Sequence, residues 1–311
     1  MKNHELLDLL GEASEDYVRA AGENVVRPKF RWKTIAAAAC LCLALAGTAL
    51  AASPELRALL ETALGSFAPY AHEQKGEAYA INGMEFRVVS ALADDFTVRA
   101  YVEVRDLEED RLSKLALNEF GCAFGLVDIP TKGTGKGVTG FVSGATCLGY
   151  DAEAKTALLA VTSWGQVMAD DLSGSEVKLF DLRGGPDSAY QVLWENSGST
   201  SFPVEIRPVA SITMGGELVS ALRAEEVRLS PIGLSVLFKG DEVWPHFAGV
   251  NAAAQLADGT RVDAPWEGGQ GSFGTYGTES SRKVLVWNFR DPVDIEQITG
   301  IYVGEDYFPI S

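Results

Sequence analysis

The chain has 311 residues, 47% of them hydrophobic and 22% charged, a globular balance that excludes a wholly disordered protein. Its formal net charge is −17. Residues 1–33 hold equal numbers of basic groups (Lys2, Arg19, Arg27, Lys29, Arg31, Lys33) and acidic ones (Glu5, Asp8, Glu12, Glu15, Asp16, Glu23), so the acidic excess lies entirely beyond them. Such a surface repels phosphate backbones and excludes nucleic acid as a partner.

Residues 1–33 form the first segment. Asn3 and Ser14 are helix caps, Gly11 and Gly22 are stops, and acidic residues follow each cap. Each helix is too short to stand alone in water. Leu6, Leu10, Ala13, Tyr17 and Ala21 fall at helical spacing on one stripe, with Glu5, Asp8, Glu12 and Glu15 opposite. An apolar stripe with no domain to cover it is expected to seek a partner helix or groove, or to lie beside a membrane.

From Thr34 to Ala52 no residue is charged. At about 1.5 Å per residue, a helix of that length nearly crosses the roughly 30 Å hydrocarbon core. Arg27, Lys29, Arg31 and Lys33 crowd its N-terminal side, which by the positive-inside rule leaves the N-terminus in the cytoplasm and exports the rest. The competing reading is a cleaved signal, because Ala49-Leu50-Ala51 has the small-x-small form of a peptidase site. Residues 1–33 are far longer than a signal's charged lead, which favours retention at the cell membrane as a single pass. Cys40 and Cys42 lie early in the apolar run rather than ending it, so they do not form a lipoprotein anchor.

Residues 53–75 are read as a juxtamembrane helix and linker. Ser53 is the cap, Pro54 the first helical residue and Gly65 the stop, and Leu56, Leu59, Leu60, Ala63 and Leu64 form an apolar face. The face is expected to pack on the membrane surface or on the domain that follows.

The period then changes to two. In "DFTVRAYVEVRD", Phe96, Val98, Ala100, Val102 and Val104 alternate with Thr97, Arg99, Tyr101, Glu103 and Arg105, the mark of a half-buried antiparallel strand. Asn82-Gly83 and Asp258-Gly259 suit type I′ hairpin turns. Further strands are expected at 157–163, 176–182, 202–208, 225–229, 233–239, 250–256 and 283–289. The fold class is therefore mainly β: short N-terminal helices, one transmembrane helix, then one or two extracellular antiparallel β-sandwich domains. With two sandwiches, the boundaries are 76–195 and 202–311, parting at the polar "ENSGSTS" (195–201).

Two stretches carry a resemblance. The N-terminal pattern L-L-x-x-L-G-E-x-x-x-x-Y-V-x-x-A precedes a basic-aromatic patch and "AAAACLCLALAG"; in the exported part stand "EEVRLSPIGLSV" (225–236), "LADGTRV" (256–262) and "DPVDIEQITGIYVGEDYFPI" (291–310). Together these resemble a group of single-pass membrane proteins of Gram-positive bacteria with uncharacterised extracellular β-domains, known as anti-sigma-factor-like. The resemblance covers both ends and leaves roughly 110–200 unmatched. It implies an envelope sensor or regulator whose cytoplasmic partner is a sigma factor or another regulator, and it brings no catalytic residues. The cytoplasmic segment is far shorter than a full anti-sigma domain and has no His/Cys zinc pattern.

Sites of chemistry are sparse. The three histidines (His4, His72, His246) are widely separated, and no HExxH occurs. "GTGKG" (133–137) lacks the flanking residues of a phosphate loop, and Gly269, Gly271 and Gly274 have neither the leading strand nor the following helix that a dinucleotide site needs. No nucleophile motif is present, so neither catalytic nor metal residues, nor a cofactor, are expected. Cys122 and Cys147 are the exported cysteines; in an oxidising exterior they form either a disulfide worth about 3 kcal/mol or two small core groups. Asp94-Asp95 and Asp170-Asp171 read as solvated turns. Trp266 precedes "EGGQGSFGTYG" and Tyr276 lies near its end, where exposed rings would stack on a sugar. That feature supports the alternative of a tethered or secreted surface module for wall glycan or protein.

Overall fold

The computed structural model describes residues 53–115, 123–130, 142–164, 171–184, 191–214, 222–239, 249–265 and 282–310. All belong to one compact unit, Leu43–Ser311. Ser53 accepts the Leu56 amide and starts α1 (Pro54–Leu64), with Pro54 at its first position. Gly65, at φ 50°, ends the helix, and a 3-10 stretch runs on to Tyr70. Leu56, Leu60 and Leu64 are buried against Val89, Tyr101, Leu158 and Ala160, so α1 packs on the β region. Among the described residues no helix is long and apolar enough to cross a membrane; residues 34–52 lie outside them.

The first nine strands are β1 (His72–Glu73), β2 (Tyr79–Ile81), β3 (Met84–Ala93), β4 (Thr97–Asp106), β5 (Ala123–Asp128), β6 (Val142–Asp151), β7 (Thr156–Trp164), β8 (Glu176–Gly184) and β9 (Gln191–Pro203). They make one antiparallel sheet in the order β1-β3-β4-β7-β6-β5-β8-β9, with β2 also on β3. Strands β5, β6 and β7 follow one another, and β8 returns beside β5, a Greek key. Bulges at Val88/Ser90, Phe124/Gly125 and Cys147/Gly149 bend the strands. The sheet curls until its two ends meet: Phe86 on β3 stacks on Phe202 of β9 at 5.0 Å and meets Trp194 at 5.1 Å. One core, including Val98, Ala100, Val102, Val104, Leu159, Val161 and Leu179, fills the concave side.

The remaining strands are β10 (Ile212–Met214), β11 (Glu226–Leu229), β12 (Gly233–Lys239), β13 (Ala252–Leu256), β14 (Arg261–Ala264), β15 (Arg282–Asn288), β16 (Ile298–Val303) and β17 (Asp306–Pro309). They form two four-stranded sheets, β10-β11-β12-β15 and β14-β13-β16-β17. Val227, Leu234, Val236, Leu285 and Trp287 of one meet Ala252, Ala254, Ile301 and Val303 of the other in a single core, which makes a β-sandwich. Trp287 also satisfies its ring N–H on the Val250 carbonyl at 2.7 Å.

Four local expectations are corrected. The polar run 195–201 lies within β9: Glu195, Thr200 and Ser201 pair with β8, and the residues between them fall where the register shifts between Leu179 and Asp181. The strand expected at 202–208 stops at Pro203, and the next amide, Val204, goes instead to the Ser175 carbonyl. The face of β4 read as polar is only partly solvated: Arg105 is exposed and Arg99 half-buried, but Thr97, Tyr101 and Glu103 are buried, Tyr101 beneath α1. Asn82-Gly83 does adopt positive φ at both positions (48° and 74°), but at the second turn only Gly259 does (88°). The Gly259 amide bonds Leu256 at 3.0 Å, a longer loop that needs a single left-handed residue.

Candidate functional site

Several residues singled out from the sequence lie outside the described residues: Leu6, Leu10, Ala13, Tyr17 and Ala21, Cys122, and Trp266 with Tyr276. Cys147 is buried on β6, its Sγ 3.5 Å from the Gly149 carbonyl. Trp194 and Trp287 are core residues. Among the described residues no group of three His, Cys, Asp or Glu side chains is arranged to hold a metal.

What the fold does assemble is a strap. The Ser53 hydroxyl donates to Asp151 at the end of β6, a carboxylate that also accepts the Glu153 amide at 2.9 Å and the Ala154 amide at 3.0 Å. The serine and these amides hold Asp151 below the usual carboxylate range. Eleven helical residues later, the Ser66 hydroxyl donates to Asp291, just past β15, at 2.8 Å. The helix is thus tied to the large sheet at its start and to the sandwich's strand-end loop beyond its finish. Beneath its first turn is a cavity of about 190 Å³ lined by Ser53, Leu56 and the cross-strand pairs Glu85–Arg105 and Arg87–Glu103.

A second joint lies at the tip of the β3–β4 hairpin. Asp94 is fully buried, and its Oδ1 accepts the amides of Phe96 (3.1 Å) and Thr97 (2.8 Å). Its Oδ2 accepts the hydroxyl of Ser230, from the turn between β11 and β12, at 2.5 Å. Ser230, equally buried, takes the amides of Ile232 (3.1 Å) and Gly233 (3.0 Å). Asp95 accepts from Ser211 and from Arg228 (3.0 Å), and Arg228 also bonds Glu226. Phe96 is 1% exposed, and a Cβ on Gly233 would stand 3.5 Å from its ring and 2.7 Å from the Trp287 carbonyl. Only glycine leaves that space. Burial pushes Asp94 up to about 7, against the pull of Ser230 and the two amides.

The Asp94-Asp95 pair read from the sequence as a solvated turn is therefore a buried joint between the large sheet and the sandwich. The spacing Asp94-x-Phe96-Thr97 does signal an Asx turn. Nothing local signals the burying partner, which is 136 positions away. A groove of about 910 Å³ lies nearby, lined by Gln74, Lys75, Glu176, Glu205 and Arg207 among others; its mixed charge selects no ligand class.

No protein-family model matches the chain, and no curated protein does. Among solved structures it is similar to a conserved domain protein from Bacillus anthracis, at 10% identity and a TM-score of 0.41 over 75% of this chain and 76% of that one. A likeness at that level assigns no function.

Proposed function

We propose that the chain is a non-enzymatic, single-pass membrane protein, an envelope sensor or anti-sigma-factor-like regulator. In this reading residues 1–33 are cytoplasmic, 34–52 span the membrane, and the β region is outside. The observation that carries it is the double attachment of α1, which follows the apolar stretch directly. Leu56, Leu60 and Leu64 fix the helix to the large sheet, and Ser66 fixes its far end to Asp291. A rearrangement of the β region therefore moves the chain where it enters the apolar stretch, instead of being absorbed by a slack linker. The basic cluster at 27–33 supports the orientation. The stripe Leu6, Leu10, Ala13, Tyr17 and Ala21 is the proposed receiver, and Cys122–Cys147 a proposed brace of the exterior part.

Cells expressing the chain with a tag at each end test it by fractionation. Both tags in the membrane at full length support the anchor; a C-terminal tag outside, on a product starting near Ala52, overturns it. Capture with the 1–33 peptide tests the regulator role, and recovery of neither a sigma factor nor another regulator overturns that role. The tethered binding module would then be tested by glycan binding lost in Trp266→Ala.

A further inference from the structure

We infer that the hairpin tip and the β11–β12 turn form a proton-operated latch between the large sheet and the sandwich, firmest when Asp94 is protonated and loosened when it is ionised. Asp94 and Ser230 lie at the ends of strands of different sheets, and neither is exposed. Among the described residues no cation bonds Asp94: Arg228, the nearest basic group on β11, bonds Asp95 and Glu226 instead. The charged groups around Asp94 are thus Asp95, whose negative charge further disfavours a second one, and on β11 Arg228 and Glu226. The turn 230–233 (Ser-Pro-Ile-Gly) adds no charge; the segment that brings Ser211 carries Glu205 and Arg207, which bond each other.

Both protonation states can be hydrogen-bonded. Ionised, Asp94 takes two amides and the Ser230 hydroxyl. Protonated, its own O–H shares the two lone pairs of Ser230 Oγ with the Ile232 and Gly233 amides, and the serine proton turns to the Gly233 carbonyl 3.4 Å away. Only the ionised state leaves a charge in a fully buried joint, and that is what weakens it. The sign follows from linkage. The carboxyl rises from 3.8 to about 7 on burial, so the joint's extra stability is complete below the lower value. It is lost as pH climbs towards the upper value and is constant beyond. The latch belongs to the β region and stands whether or not residues 34–52 span a membrane.

Hydrogen exchange of the full chain in detergent, corrected for the intrinsic pH dependence, reads it on peptides containing Phe96–Thr97 and Ile232–Gly233. Protection is expected to fall by up to about tenfold per pH unit between pH 5 and about 7, then level. In Asp94→Asn, which keeps the acceptor and donates to Ser230 without ionising, protection is expected to stay flat. A flat wild-type profile, or an Asp94→Asn profile with the wild-type slope, overturns the latch. Should Asp94→Asn not fold, Ser230→Ala decides: loss of the hydroxyl that favours the ionised form moves the levelling point to higher pH, and an unmoved point overturns the proposal.

Discussion

The side-chain amide of Gln74 pairs with the backbone of Glu205 as a neighbouring strand would: its Nε2 donates to the Glu205 carbonyl and its Oε1 accepts the Glu205 amide, both at 2.8 Å. Gln74 is buried, and the chain beyond β9 has no ladder there, so its side chain fastens that segment beside β1, where His72 Nε2 also lies 3.2 Å from the Glu205 carboxylate. Gln74→Ala leaves both backbone groups unpaired and is expected to cost about 2–3 kcal/mol. Denaturant unfolding with an unchanged m-value measures it; a loss under about 0.5 kcal/mol would mean water replaces the amide without penalty.

The loop after β4 is organised by another carboxylate. Asp106 accepts the amides of Glu108, Glu109 and Arg111 and a two-pronged bond from the Arg111 guanidinium at 2.9 and 2.8 Å. The guanidinium beside it, aided by these amides, holds its carboxyl far below the usual range. A depressed folded value gives stability that is present above the unfolded pKa, about 3.9, and disappears as pH falls below it. Asp106→Asn is expected to cost about 3 kcal/mol at pH 7. Its gap to wild type should narrow below pH 4, and a gap independent of pH down to 3 would refute the ion-pair account.

Leu60→Ala probes the strap. The leucine is 3% exposed against the outer face of the sheet, and truncation is expected to cost about 3 kcal/mol. The loss should appear first as faster hydrogen exchange across 54–64, with β3 and β4 still protected. Uniform deprotection of helix and sheet together would show that α1 is no separable unit. Ser53→Ala, which removes both the cap and the bond to Asp151, should act in the same direction by about 1 kcal/mol.

Gly184→Ala is expected to be among the costliest single-methyl additions. Its Cβ would stand 1.9 Å from the Lys114 carbonyl, where the Leu115–Gly184 bridge closes the end of β8. Backbone must move, at about 3 kcal/mol. Gly149→Ala meets only the mobile end of Leu59, so a smaller loss is expected there. Equal midpoints for the two variants would contradict this contrast.

The strands easiest to read were those bounded by turn chemistry. The runs expected at 157–163, 233–239 and 283–289 are β7, β12 and β15 to within a residue or so at each end. Strand β6 escaped because Gly144, Gly149 and Cys147 interrupt its alternation, and the bulge at Cys147/Gly149 resets its faces. The cap, first turn and stop of α1 were legible because each is a local signal. Its seat was not, because Tyr101 looks like a solvent-facing aromatic until a helix from outside the strand pattern covers it. The same holds for Asp94: its turn is local, and its burial depends on the sandwich.

The seat of α1 is built from two parts of the chain. Val89 and Tyr101 come from β3 and β4, but Leu158 and Ala160 come from β7, which slots between β4 and β6. A chain that emerges N-terminus first therefore makes the helix early and holds half its berth, while β4 waits with an open edge from Asp106 until Thr156 arrives. Insertion of β7 covers that edge and completes the berth in one event. A docked α1 is accordingly a certificate of a finished sheet: a half-made or damaged one has no place to hold the helix.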